Sequence, residues 1–362
     1  MHTARSYMLT YTNIFLVRGT TQSLVLDLSK KDWIYLDNDF ADIFEAFRSY
    51  SLQEIEDTLN NESKQEFHIF LAFLVDNDYG TLVDDLSLFP KITEAWYSPY
   101  EITNCIIDFN GEFHNVNKIA DELFDLGCQY LEIRFYYSAP LEQIKDVLNV
   151  LSGKDFRNIH IITKFSAGIL KSDLRALHRK YLNCSFTIYG SHENLFYESE
   201  LENVLPSVGY INYIQQNIAD CTSCGLINST TLLNPTNVST LMHNKLYNSC
   251  LNRKIAIDIN GFIKNCPSMS DYFGNIKNDS LITIARSAIF QKKWEINKDS
   301  IKVCQDCEYR YVCSDCRAYL DDPSDELSKP LKCGYDPYTG EWEDWSSNVL
   351  KDNAIKYYGI TN

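Results

Sequence analysis

The sequence contains no run of about 18 consecutive apolar residues, so it offers no segment able to cross a hydrocarbon core as a helix. Its first residues, MHTARSYMLTYTN, lack an apolar block followed by a small-residue cleavage site, and the chain is read as cytosolic with no membrane association. Positive charge is also scarce: 33 Lys and Arg stand against 49 Asp and Glu, a formal net charge of −16. Binding duplex DNA or anionic lipid needs a basic face that displaces counterions from phosphate, so this balance argues against both. A basic peptide or a protein partner suits it better. The 362 residues, 45% of them hydrophobic, supply a substantial core and suggest two or three domains.

Cysteine, by contrast, is plentiful, with 12 residues. In a reducing compartment, short repeated cysteine spacings point to metal ligation rather than disulfides. Cys105, Cys128 and Cys184 are scattered through the first 220 residues and read as buried, inert thiols beside strands. The other nine lie beyond them, so any metal chemistry is expected at the C-terminal end.

Three segments are expected, and the fold class is α/β. Residues 1–95 begin with strands at NIFLVRG and SLVLDL, followed by WIYL at 33–36. Phe40, Ile43, Phe44 and Phe47 then keep helical spacing, Ser51 and Glu54 form a capping-box pattern, and a third helix carries Phe67, Phe70, Leu71 and Leu74 before a return strand at 81–83. That order is winged-helix-like. The third helix, NESKQEFHIFLAFLVDND, is acidic and aromatic and unsuited to nucleic acid. The module resembles the peptide-recognition elements of ribosomal-peptide maturation systems, which hold a precursor's leader as an added β-strand. A purely structural cap on the next domain is the alternative.

Residues 96–220 alternate strand and helix. ITNCIID, YLEIRFY, IHIIT, CSFTIYG and VGYINYI read as strands, and the stripes Val116–Leu126, Leu141–Leu151 and 167–181 read as helices. Repeated βα units imply parallel strands in a partial (β/α) barrel or an open sheet, with function at the C-terminal strand edge. Asp108, Glu132, Arg134 and Tyr136 fall near predicted strand ends, but such residues are commonly solvated or structural, so no catalytic base is nameable.

Residues 221–362 carry the strongest pattern. Cys250 is followed by Gly261 and Cys266, then by Cys304-x2-Cys307-x5-Cys313-x2-Cys316 and finally Cys333. An Asn-Gly turn in DINGFIKNC predicts a hairpin that presents Cys266. This pattern resembles the SPASM domain, the auxiliary iron–sulfur domain of peptide-modifying radical S-adenosylmethionine enzymes, although the family usually separates the last pair by three residues. The resemblance implies two 4Fe-4S clusters: Cys304, Cys307, Cys313 and Cys333 on one, and Cys250, Cys266 and Cys316 on the other. A fourth thiolate for the second comes from Cys221 or Cys224, leaving one spare; His243 is a weaker candidate, read as a surface or capping residue. The alternative is zinc held by Cys304, Cys307, Cys313 and Cys316.

The C-x3-C-x2-C motif and the Gly-rich turn of a radical S-adenosylmethionine enzyme are missing. ITNCIIDFNGEFHN and LEIRFYYSAP stand in their places, so no S-adenosylmethionine site is recognised. A degenerate barrel with a complete cysteine tail resembles the SPASM-domain maturases of grasp-with-spasm systems. That resemblance rests on ITNCIID, LGCQYLEIRF, CEYRYVCSDCRAYL, KPLKCGYDPYTGEW and the leader-binding-like N-terminus. It implies a precursor peptide and an ATP-grasp ligase as partners, the ligase forming ester or amide crosslinks. The clusters would pass electrons or hold peptide; a non-catalytic scaffold presenting peptide to the ligase is the alternative. The acidic stretches LDDPSDEL and EWEDW read as solvated surface.

Overall fold

The computed structural model describes residues 6–198, 209–232 and 237–360. The first element is β1 (Tyr7–Thr10), followed by β2 (Ile14–Val17), β3 (Ser23–Asp27) and β4 (Asp32–Leu36). Helices α1 (Asn38–Ala46), α2 (Leu52–Thr58) and α3 (Asn61–Asp76) come next, and β5 (Gly80–Val83) returns to pair antiparallel with β1. Every strand and helix expected in this region is present. The Ser51 hydroxyl accepts from the Glu54 N–H, and the Glu54 carboxylate accepts from the Ser51 N–H at 2.8 Å, closing the capping box at the start of α2. Asn60 caps α3 in the same way through the Glu62 and Ser63 N–H groups.

In the antiparallel sheet β2-β3-β4 the central strand β3 is buried on both faces. Val25 faces the helices and packs with Phe44, Phe47 and Phe67. Val17, Leu24 and Leu26 face the other way, into a core built from Tyr309, Val312, Cys313 and Cys333. Hydrophobic burial therefore fastens the N-terminal module to the cysteine-rich tail.

The central sheet takes β6 (Asn104–Phe109), β7 (Tyr130–Phe135), β8 (Asn158–Lys164), β9 (Cys184–Tyr189), β10 (Leu195–Glu198) and β11 (Tyr210–Ile214). Helices α4 (Val116–Asp125), α5 (Leu141–Leu151) and α6 (Lys171–Lys180) connect successive parallel strands. Strand β10, not anticipated from the sequence, pairs antiparallel with β11 at one edge. Val208, the first residue of the expected VGYINYI strand, lies outside the described residues.

Beyond α7 (Val238–Leu246), the tail returns to this sheet. Strand β12 (Lys254–Ile257) pairs parallel with β6, and β13 (Phe262–Lys264) and β14 (Gly274–Asn275) follow antiparallel. The Asn-Gly hairpin is present, with Gly261 at φ +83° and Asp258 Oδ1 accepting from the Asn260 and Phe262 N–H groups at 2.9 Å. Among the described residues the order is β10-β11-β9-β8-β7-β6-β12-β13-β14, an open and mostly parallel sheet that crosses the expected boundary at residue 220. One face packs against the helices through Cys105, Ile107, Ile133, Ile161 and Phe186. Among the described residues no helix is long and apolar enough to cross a membrane.

Candidate metal centre and sheet-edge site

The tail folds with little regular structure, and its turns bring the cysteines together. Cys304 opens a single 3-10 turn in which the Cys307 N–H donates to the Cys304 carbonyl at 3.1 Å. Arg310 holds the next loop by donating to the Cys307 carbonyl at 3.0 Å and to Asp299 at 2.8 Å. Cys304, Cys307, Cys313 and Cys333 line one small cavity, with Lys298 and Lys329 in its wall. Burial pushes the Cys313 thiol up to about 12.

Lys298 is only 3% exposed. Its Nζ lies 3.9 Å from Cys304 Sγ and 3.2 Å from Asp315 Oδ1. Burial opposes its charge, yet Cys304, Cys313 and Asp315 outweigh burial and raise its pKa. Asp315 also accepts from Asn248 at 2.6 Å and from Arg317 at 2.9 Å, so its carboxylate is fully engaged.

Cys250, Cys266 and Cys316 form a second neighbourhood. Burial takes the Cys316 thiol up to about 12, and Cys250 and Cys266 add to that rise by like-charge repulsion. Cys224 acts on Cys250 in the same way. Its turn, Cys221–Ser223, is tied to the tail at three points. Lys332 Nζ donates to the carbonyls of Thr222 and Cys224, the latter at 2.9 Å. Ile227 forms a parallel bridge with Cys333. Gly225, at φ +89°, sits so close to Cys316 that an added Cβ would stand 2.9 Å from its Sγ.

The second neighbourhood has its own buried cation. Lys254, 9% exposed, places Nζ 3.5 Å from Cys250 Sγ. Among the described residues no carboxylate stands at ion-pair distance from it. Burial opposes its charge, and Cys250, Cys266, Cys224 and, last, Glu132 raise its pKa against that opposition. Cys221 turns elsewhere: its thiol is raised by burial and feels Asp108 and Arg134.

These arrangements bear on the two metals weighed from the sequence. Cys313 and Cys316 flank Asp315 and join different neighbourhoods, and among the described residues no three His, Cys, Asp or Glu side chains are grouped to hold a single metal ion. Zinc held by Cys304, Cys307, Cys313 and Cys316 would have to draw Cys316 away from Cys250 and Cys266. All-sulfur donor sets, the first of them lining a cavity and each with a buried ammonium beside it, suit anionic thiolate-bound clusters.

His243 is half-buried against Trp96 and hydrogen-bonds Asn252 at 3.2 Å, which corrects its reading as a surface or capping residue. Burial lowers its pKa. Cys105, Cys128 and Cys184 are buried in the sheet core. Burial raises all three, Cys128 to about 12, so they are inert thiols.

At the C-terminal edge of β6 and β7, Arg134 grips Asp108 with two hydrogen bonds of 2.6 and 2.9 Å, and Tyr136 donates to the same carboxylate at 3.1 Å. Burial raises the Asp108 pKa despite the Arg134 charge. The sequence reading placed these residues correctly near strand ends without foreseeing that they pair. Farther down the same face, Glu132 Oε2 lies 3.6 Å from His160 Nδ1, and His160 Nε2 lies 2.9 Å from Thr187 Oγ1. His160, Thr187, Lys254, Lys298 and Asp315 were missed as site residues. Only the polar–apolar alternation of NIHIIT and CSFTIY hinted at the first two.

No family profile matches the sequence, and no curated protein matches it. Among solved structures, Streptococcus suis SuiB bound to precursor peptide SuiA aligns at 11% identity and TM-score 0.37, covering 89% of this chain and 98% of that one. SuiB bound to S-adenosylmethionine aligns at 11% identity and TM-score 0.35, with the same coverage. Both scores are too low to fix the fold or to transfer an activity.

Proposed function

We propose that this chain is a peptide-maturation protein that binds a precursor peptide, works beside an ATP-grasp ligase and carries two 4Fe-4S clusters in its tail. The observation that carries the reading is the division of eight cysteines into two neighbourhoods, each with a buried lysine beside a sulfur. On this reading Cys304, Cys307, Cys313 and Cys333 hold one cluster, Cys224, Cys250, Cys266 and Cys316 hold the other, and Cys221 is the spare. When bound, the clusters supply one-electron chemistry or an anchoring point for peptide. The lysines balance their charge, Asp315 orders the strip between Cys313 and Cys316, and the Lys332 contacts fix the turn that presents Cys224.

The precursor's leader is assigned to the β4 edge. A groove of about 340 Å³ runs between β4 and α3, lined by Ile34, Leu36, Phe40, Phe70 and Phe73. An extended peptide would pair its backbone with β4 and place alternate side chains on these rings. Asp108, Arg134 and Tyr136 occupy the sheet edge after the first strand, where a radical enzyme would need its three cysteines, so S-adenosylmethionine cleavage forms no part of the proposal.

Anaerobic purification with iron and sulfide assays tests the reading. About eight iron and eight sulfide per chain are expected. A colourless protein holding only zinc overturns it.

A further inference from the structure

Building on the two-cluster reading, we propose that Lys254 and Lys298 are positioning residues that set the electron affinities of the two sites, with Lys254 making its site the better acceptor. Electrons would then collect at the Cys250 site, on the side of the tail nearest the central sheet.

The argument starts from charge. A buried ammonium is costly unless an anion lies beside it. Lys254 has Cys250 Sγ at 3.5 Å and no carboxylate at ion-pair distance among the described residues. Neutral thiols would leave it only the longer-range charge of Glu132, whereas a thiolate-bound cluster supplies negative charge at contact distance. Lys298 has Cys304 Sγ at 3.9 Å, but Asp315 already stands 3.2 Å from its Nζ. Glu132 therefore answers Lys254 only at longer range, whereas Asp315, shared with Arg317, stands at contact distance from Lys298, so the first lysine's charge is the less directly neutralised of the two.

Reduction adds one electron to an already anionic site, with no bond made or broken and no proton exchanged. A fixed cation and an N–H···S contact stabilise the more negative state, so each lysine raises the potential of its own site. The closer and less compensated cation raises it more. Lys254 begins β12, and β12 pairs with β6, the strand that carries Asp108. The favoured acceptor thus adjoins the polar sheet face that holds Glu132 and His160.

The test is an anaerobic redox titration with dithionite as reductant, followed by EPR, on the full chain and on Lys254→Met and Lys298→Met. Iron content is measured on each sample. Two reduction steps are expected in the parent protein. Each methionine variant should move one step to lower potential and leave the other in place, with the larger displacement in Lys254→Met. Lys254→Arg and Lys298→Arg should restore the parent values, which a packing role would not require. If a methionine variant holds less iron, Lys254→Gln and Lys298→Gln remove the charge while keeping an N–H donor. Full iron with unmoved steps, or a larger displacement from Lys298→Met, overturns the inference while leaving the cluster reading intact. A parent protein without iron overturns both.

Discussion

The two thiol neighbourhoods are built from the same parts and closed in different ways. The first draws Cys304, Cys307, Cys313 and Cys333 from one stretch of tail and walls them with residues from that stretch. The second gathers Cys224, Cys250, Cys266 and Cys316 from separate segments, and Cys224 is exposed. A contiguous set needs only correct turns. A dispersed set also needs the fold to bring its pieces together, and it keeps an open side where Cys224 meets solvent.

The change expected to matter most strikes both neighbourhoods. Asp315 lies between Cys313 and Cys316 and answers Lys298, Arg317 and Asn248, so Asp315→Ala leaves buried cations unpaired. A loss of about 3–5 kcal/mol is expected in chemical denaturation, together with depleted iron in both sites. If only one site loses iron, Asp315 is not shared.

Single-cysteine changes should separate the two. Cys304→Ser and Cys266→Ser are each expected to remove about half the iron and one of two EPR signals. Complete loss from either would mean that the sites assemble as one.

A smaller effect is expected at the dispersed site alone from Gly225→Ala. A methyl group in the left-handed region against Cys316 costs about 1–2 kcal/mol and displaces the turn bearing Cys224. Iron retention after mild chelation should fall for that site only; equal retention would show that the turn tolerates the methyl.

The least effect is expected from Cys221→Ser, whose iron content should match the parent, while Cys224→Ser loses iron from the dispersed site. The reverse result would exchange the two assignments.

How much of this was legible beforehand follows the same division. Spacing exposed Cys304, Cys307, Cys313 and Cys316 as one close run, the resemblance implied that Cys333 replaces Cys316 in the first set, and the DINGFIKNC turn revealed the hairpin before Cys266. Nothing local separates Cys221 from Cys224. What separates them is the contact of Gly225 with Cys316 and the reach of Lys332, both set by the fold. The lysines were missed because a lone Lys in sequence reads as solvated surface, and only the fold brings Lys254 and Lys298 against cysteine sulfurs. In the central region the apolar stripes gave the βα order, but the pairing of β12 with β6 joins segments that no local pattern links. The Asp108–Arg134 pair was hidden for a related reason: its partners lie on neighbouring strands in matched register.

The placement of β12 also governs how the chain comes off the ribosome. Its register partners in β6 were synthesised about 150 residues earlier, as the separation of Thr103 from its hydrogen-bond partner Arg253 records. Throughout that interval the outer margin of β6 offers unpaired N–H and C=O groups to any neighbouring strand. The nascent sheet therefore waits, with one side unsealed, for the segment that also delivers Cys250 and Cys266. Closure of that margin sets Cys250 and Cys266 in place, and the dispersed thiol site then waits only for Cys316, which follows later in the chain.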